Sequence, residues 1–116
     1  MSSVQTALLV GIGGAMGAAA RYSVSRVVSM REFPLSTLVV NAVGSFVLAL
    51  VTFSDAGSQL TLLVGTGACG SFTTFSSFSF ETFRLWETGE KPRSALNAAA
   101  NLVLSLTAVW LGSILV

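Results

Sequence analysis

Apolar residues fall into four long runs, about Val4–Met30, Phe33–Phe53, Leu60–Trp86 and Ser94–Val116, separated by short polar turns. Each run is near or above the roughly 20 residues that a helix needs to cross the hydrocarbon of a bilayer. The pattern predicts a single all-α membrane domain over residues 1–116, four transmembrane helices joined as hairpins, with no room for a soluble module.

The polar positions inside these runs carry most of the information. The first run is rich in small residues, and Gly13 and Gly17 form a small-x-x-x-small pair that lets two helix backbones approach closely. The string GIGG at 11–14 is not a phosphate loop, because no strand precedes it and no Lys-Ser/Thr follows. Arg21 sits at the end of an uncharged stretch, where a charge is costly unless it faces protein, water or the headgroups. Two readings stand for it: snorkelling beside Arg26 and Arg31, or a buried or vestibule-facing role. In the second run Asn41 is the only strongly polar amide between Leu35 and Phe53, and Thr37 lies one turn earlier on its face. Its two donor hydrogens suit either helix–helix adhesion or replacement of part of an anion's water shell. The fourth run places Asn97, Asn101 and Ser105 at spacings of four, a polar stripe that must face protein or water.

The third run departs furthest from an ordinary span. Between Leu60 and Phe80 there is no charge, yet Gly65, Gly67 and Gly70 are followed by Thr73, Thr74, Ser76, Ser77 and Ser79. Glycines weaken the helix and leave backbone groups seeking partners, which at membrane depth is tolerable only where protein or a water-filled cavity supplies them. A broken or distorted helix lining an ion site is therefore expected. Phe72, Phe75 and Phe78 recur every third residue and are expected to share one face. Ring edges carry positive potential, so edges turned toward a pathway favour an anion. Glu81 ends the stretch, and three roles suit it: a vestibule acid, a helix-to-helix hydrogen-bonding group or a proton-coupling site.

Composition sharpens the class. Of the residues 53% are hydrophobic and 9% charged, against about 25% charged in soluble domains, which marks an integral membrane protein. A net charge of +1 and the absence of histidine give no support to nucleic-acid binding or to a His-based metal or acid–base site. The lone Cys69 excludes an internal disulfide and reads as a small packing residue. Residues 1–5 lack the basic start of a cleavable signal. No nucleophile, base and orienting group can be assembled into an enzyme site.

The string from Gly67 to Glu81 resembles the signature of the Fluc (CrcB) family of fluoride channels. Gly13, Gly14, Gly17, Ala18, Arg21 and Tyr22 are similar to that family's first-helix pattern, and Pro34, Thr37, Leu38, Val40, Asn41, Gly44 and Ser45 to its second. The resemblance implies a passive, fluoride-selective channel exporting the ion from the cytoplasm, built as an antiparallel dimer with a break in the third helix. It implies a structural Na⁺ at the dimer centre held by the backbone carbonyls of Gly70 and Thr73. It further implies a fluoride pathway lined by Asn41, Phe75 and Phe78, with hydroxyls from Thr74, Ser76, Ser77 and Thr37 and fourth-helix polar groups at Asn101 and Ser105. Ser36, Ser71, Phe72 and Ser77 depart from the usual residues of the pattern.

Four crossings put both termini on one side, which carries no Lys or Arg, while Arg26, Arg31, Lys91 and Arg93 gather on the other. The positive-inside rule assigns the basic loops to the cytoplasm. A bias of that kind conflicts with one chain inserting both ways, so either a homodimer overrides it or the partner is a homologous subunit of opposite orientation. Two rivals are weaker. A proton-coupled multidrug exporter requires an acid in the first helix, where this chain has Arg21. An accessory packing subunit leaves the hydroxyls, amides and phenyls unexplained.

Overall fold

A computed structural model describes residues 1–28 and 33–116. The expected basic position Arg31 lies outside the described residues, as do the last residues of the first predicted run. Every regular element among the described residues is helical. In chain order these are α1 (Ser3–Val27), α2 (Leu35–Phe53), α3 (Ser58–Leu60), a π-helical segment (Thr61–Cys69), α4 (Gly70–Phe72), α5 (Phe75–Glu87) and α6 (Lys91–Leu115).

Helices α1, α2 and α6 are each long and apolar enough to cross a membrane. The chain is a multi-pass membrane protein. Leu8, Ile12, Leu102, Val103, Leu106 and Trp110 point outward from α1 and α6, and such a surface is stable against lipid but not against water. Local chemistry sets the ends. A reciprocal pair caps α1: Ser2 Oγ accepts from the Gln5 amide at 3.2 Å, and Gln5 Oε1 accepts from the Ser2 amide at 3.0 Å. Helix α5 stops at Gly89, whose φ of 86° lies in the left-handed region that only glycine enters without cost. Lys91 then lies over the Trp86 ring, 4.7 Å from its centroid, across the short turn into α6.

Two close seams hold the helices. Helix α1 packs on the π segment and α4 through Gly13 and Gly17, where a β-carbon would collide with the carbonyl oxygens of Leu63 and Ala68. The same seam is bonded by Ser71, whose hydroxyl donates to the Gly14 carbonyl at 2.6 Å. Helix α2 packs chiefly on α6, where Gly112 would place a β-carbon 2.7 Å from that of Ala49. Such small-residue contacts suit helices surrounded by lipid, where association rests on van der Waals fit and interhelical hydrogen bonds.

Residues 58–87 are not a uniform helix. The π segment has wider turns with i→i+5 bonding, rare at nine residues and frequent near functional sites. After Phe72 the backbone straightens: Thr73 (ψ 162°) and Thr74 (φ −150°, ψ 121°) are extended, and helical geometry resumes at Phe75.

Candidate functional site

The extended pair Thr73–Thr74 is held by side chains. Thr74 is the N-cap of α5, its hydroxyl accepting from the Ser77 amide at 3.1 Å. Asn41 of α2 grips the backbone of the same residue from the other side. Its Oδ1 accepts from the Thr74 amide at 2.8 Å, and its Nδ2 donates to the Thr74 carbonyl at 3.1 Å. The second Nδ2 hydrogen goes to Asn101 Oδ1 at 2.9 Å. Asn41 can offer only two hydrogens, and both are engaged.

This bonding has a consequence for the main chain. In a continuous helix the Thr74 amide would close a turn on the Gly70 carbonyl, and the Ser77 amide a turn on that of Thr73. Here the first donates to Asn41 and the second to the Thr74 hydroxyl. The carbonyls of Gly70 and Thr73 thus lose their regular helical donors. Thr73 itself is anchored, its hydroxyl donating to the Cys69 carbonyl at 2.9 Å and its methyl pressed against Gly44.

Two cavities meet at Thr74. One, of about 380 Å³, is lined by Asn41, Ser45, Thr74, Phe75, Phe78, Asn101 and Ser105 together with leucines of α2 and α6. The Phe75 and Phe78 rings stand at its edge, centroids 5.9 Å apart and tilted by 47°. The other, of about 340 Å³, is lined by Arg21, Tyr22, Ser25, Ser36, Thr37, Thr74, Ser77 and Glu81. Glu81 lies within hydrogen-bonding reach of Thr37, while its Oε1 is buried with no partner among the described residues. Thr74 belongs to both walls.

The family profile described as CrcB-like protein, Camphor Resistance (CrcB), matches residues 8–113. The chain belongs to the CrcB-like family. It is 52% identical over 111 residues to "Fluoride-specific ion channel FluC 2" of Haloarcula marismortui, covering 96% of this chain and 93% of that protein. It is 42% identical to "Fluoride-specific ion channel FluC" of Pyrococcus abyssi, covering 97% of each. It is 47% identical to "Fluoride-specific ion channel FluC 1" of Halobacterium salinarum, covering 90% of this chain and 91% of that protein.

In this CrcB-like chain the residues singled out from sequence divide into groups. Asn41, Thr74, Phe75, Phe78, Asn101 and Ser105 share the first cavity, and Arg21, Thr37, Ser77 and Glu81 the second. Ser76 is exposed, and Gly70 is exposed on the opposite side of the interruption. Neither lines these two cavities. The expectation that Phe72, Phe75 and Phe78 share one face is corrected: Phe72 precedes the extended pair and lines a separate apolar cavity with Met16, Val43, Val47, Ala68 and Cys69. Two extended residues change the rotation between the helical pieces, so a spacing of three no longer means a common face.

Sequence reasoning missed Thr82 and Ser94 and gave Asn97 no site role. Asn97 is 0% exposed and donates from Nδ2 to Thr82 Oγ1 at 2.8 Å. The Ser94 hydroxyl donates to the Thr82 carbonyl at 2.7 Å. The available signal was spacing: Thr82 follows Phe78 by four residues, and Asn97 precedes Asn101 by four.

Proposed function

We propose that this protein is a fluoride-selective ion channel through which fluoride leaves the cytoplasm passively. The observation that carries the reading is the side-chain-held interruption at Thr73–Thr74. Its Thr74 lines both the cavity walled by Phe75 and Phe78 and the second, polar cavity, and the interruption leaves two main-chain carbonyls without their helical donors. The names of the CrcB-like relatives support the choice of ion. Fluoride holds its hydration shell tightly, so a selective path has to offer donors and positive ring edges at close range. Phe75 and Phe78 supply edges, and Thr74, Ser77 and Ser105 supply hydroxyls. Asn41 contributes chiefly by fixing the Thr74 backbone, since both its amide hydrogens are engaged. Arg21 supplies positive charge at the second cavity, beside Glu81.

The channel is an antiparallel dimer with a structural Na⁺ at its centre, formed by two copies of this chain or by this chain and a homologous subunit. A hard cation takes oxygen ligands, and carbonyls at an unwound helix suit Na⁺. The Gly70 and Thr73 carbonyls, freed of their helical donors, fit that chemistry and would hold the ion. Phe75 is 79% exposed in the single chain, which is consistent with a partner completing the path. Segments 58–72 and 75–87 together form the third membrane crossing, interrupted midway.

The test is fluoride efflux from liposomes holding the purified protein, with chloride-loaded liposomes as the comparison. Selective fluoride efflux that falls on Phe78→Ala is expected. Equal efflux of both halides, or no efflux of either with the chain alone and with a co-expressed homologue, would sink the reading. The chain reconstituted alone also decides the partner: fluoride flux means a homodimer, and flux only with a co-expressed homologue means a pair.

A further inference from the structure

The sequence contains three asparagines, Asn41, Asn97 and Asn101, and all three lie in one chain of hydrogen bonds. The chain starts at a backbone donor and ends at a backbone acceptor of the same helix region. The Thr74 amide donates to Asn41 Oδ1 (2.8 Å), and Asn41 Nδ2 donates to Asn101 Oδ1 (2.9 Å). Asn101 Nδ2 donates to Asn97 Oδ1 (3.0 Å) and to the Asn97 carbonyl (2.9 Å). Asn97 Nδ2 donates to Thr82 Oγ1 (2.8 Å), and the Thr82 hydroxyl donates to the Phe78 carbonyl (2.8 Å).

Each link points the same way, and backbone groups along the chain fix that direction. An N–H can only donate and a C=O can only accept, whereas a side-chain amide is ambiguous until its neighbours are known. The Thr74 amide and carbonyl fix both ends of the Asn41 amide, and the Asn97 carbonyl fixes the NH₂ side of Asn101. Asn97 then turns its oxygen toward Asn101 and its NH₂ toward the Thr82 hydroxyl, which passes its own hydrogen to the Phe78 carbonyl. Reversing any one amide sets donor against donor or acceptor against acceptor. Asn97, at 0% exposure, has no contact with solvent to repair such a mismatch.

We propose that Thr82 and Asn97 are positioning residues, which brace the Asn101 amide from behind and, through it, Asn41 at the Thr74 interruption. Neither lines the cavity that holds Asn41 and Asn101. They act by holding the two cavity amides in place from outside the cavity. Only the transport consequence rests on the fluoride-channel reading; the bracing itself does not.

The experiment uses the full-length protein in detergent micelles with ¹⁵N supplied only in asparagine, which gives three side-chain NH₂ pairs, every one of them in the chain of bonds. Thr82→Val removes the accepting hydroxyl while keeping the shape. The expected result is that the pairs of Asn97, Asn101 and Asn41 all shift and exchange faster with water, and that Thr82→Ser returns all three to their original positions. Asn97→Ala gives a second reading from the two remaining pairs without touching Thr82, and both are expected to move. A Thr82→Val spectrum in which only the Asn97 pair moves, or an Asn97→Ala spectrum in which the Asn41 pair stays put, overturns the proposal. In liposomes, Thr82→Val is expected to slow fluoride efflux about tenfold, the scale of one hydrogen bond, with Thr82→Ser within about twofold of the parent. A parent protein that passes no fluoride, alone or with a co-expressed homologue, overturns the channel reading, while the NMR arms still decide the bracing.

Discussion

Asn41→Ala perturbs the fewest atoms for the largest consequence. The substitution removes three hydrogen bonds, at 2.8, 3.1 and 2.9 Å, and leaves the Thr74 amide, the Thr74 carbonyl and Asn101 Oδ1 without those partners. Two of the three bonds hold the Thr74 backbone, so at about 1 kcal/mol net for each the interrupted form loses about 2 kcal/mol relative to the continuous one, in which the Thr74 amide turns back onto the Gly70 carbonyl. The third joins Asn41 to Asn101 and not to the backbone. The balance between interrupted and continuous forms therefore moves by about 2 kcal/mol, or roughly 30-fold. Two measurements read this: fluoride efflux from liposomes, expected to fall at least about tenfold by the same arithmetic, and the ¹³C shift of the Gly70 carbonyl, expected to move to the value of a hydrogen-bonded helix. Unchanged Gly70 and Thr74 signals alongside normal efflux would refute the reasoning, because Asn41 would then not be what holds the backbone open.

Other expectations are more local. Gly17→Ala places a methyl against the Ala68 carbonyl and the Ser71 hydroxyl, and should lower stability in detergent by about 1–3 kcal/mol. Gly11→Ala, facing open space on the same helix, should leave the melting temperature level or raise it. Thr74→Val removes the cap of α5 at a cost of about 1 kcal/mol, and Thr74→Ser should recover most of it in the same thermal melt. Phe75→Ala, at a ring 79% exposed, should change stability by less than about 0.5 kcal/mol yet reduce fluoride efflux; loss of both together would mean that the ring packs rather than lines a path.

What the sequence made legible followed from what each pattern can encode. Apolar runs of spanning length announce helices because hydrocarbon thickness fixes that length, and α1, α2 and α6 lie where such runs predict them. Gly13 and Gly17 announced a close approach because small residues at that spacing let two backbones meet, and they meet the π segment. The π geometry of residues 61–69 was not legible. The segment TLLVGTGAC is apolar or small all round, so neither a 3.6- nor a 4.4-residue period leaves a polar stripe to reveal it. The role of Asn41 was open for a different reason. Whether an amide serves an ion or a neighbouring backbone depends on how many of its hydrogens are already taken, and the takers stand 33 and 60 residues away in sequence. Periodicity finds faces, and it found the stripe of Asn97, Asn101 and Ser105. It cannot find direction along a hydrogen-bond chain, because direction is imposed by the fixed polarity of backbone groups along it, and those come into view only once the Thr74 amide and carbonyl are seen to clasp Asn41 and the Asn97 carbonyl to take up Asn101.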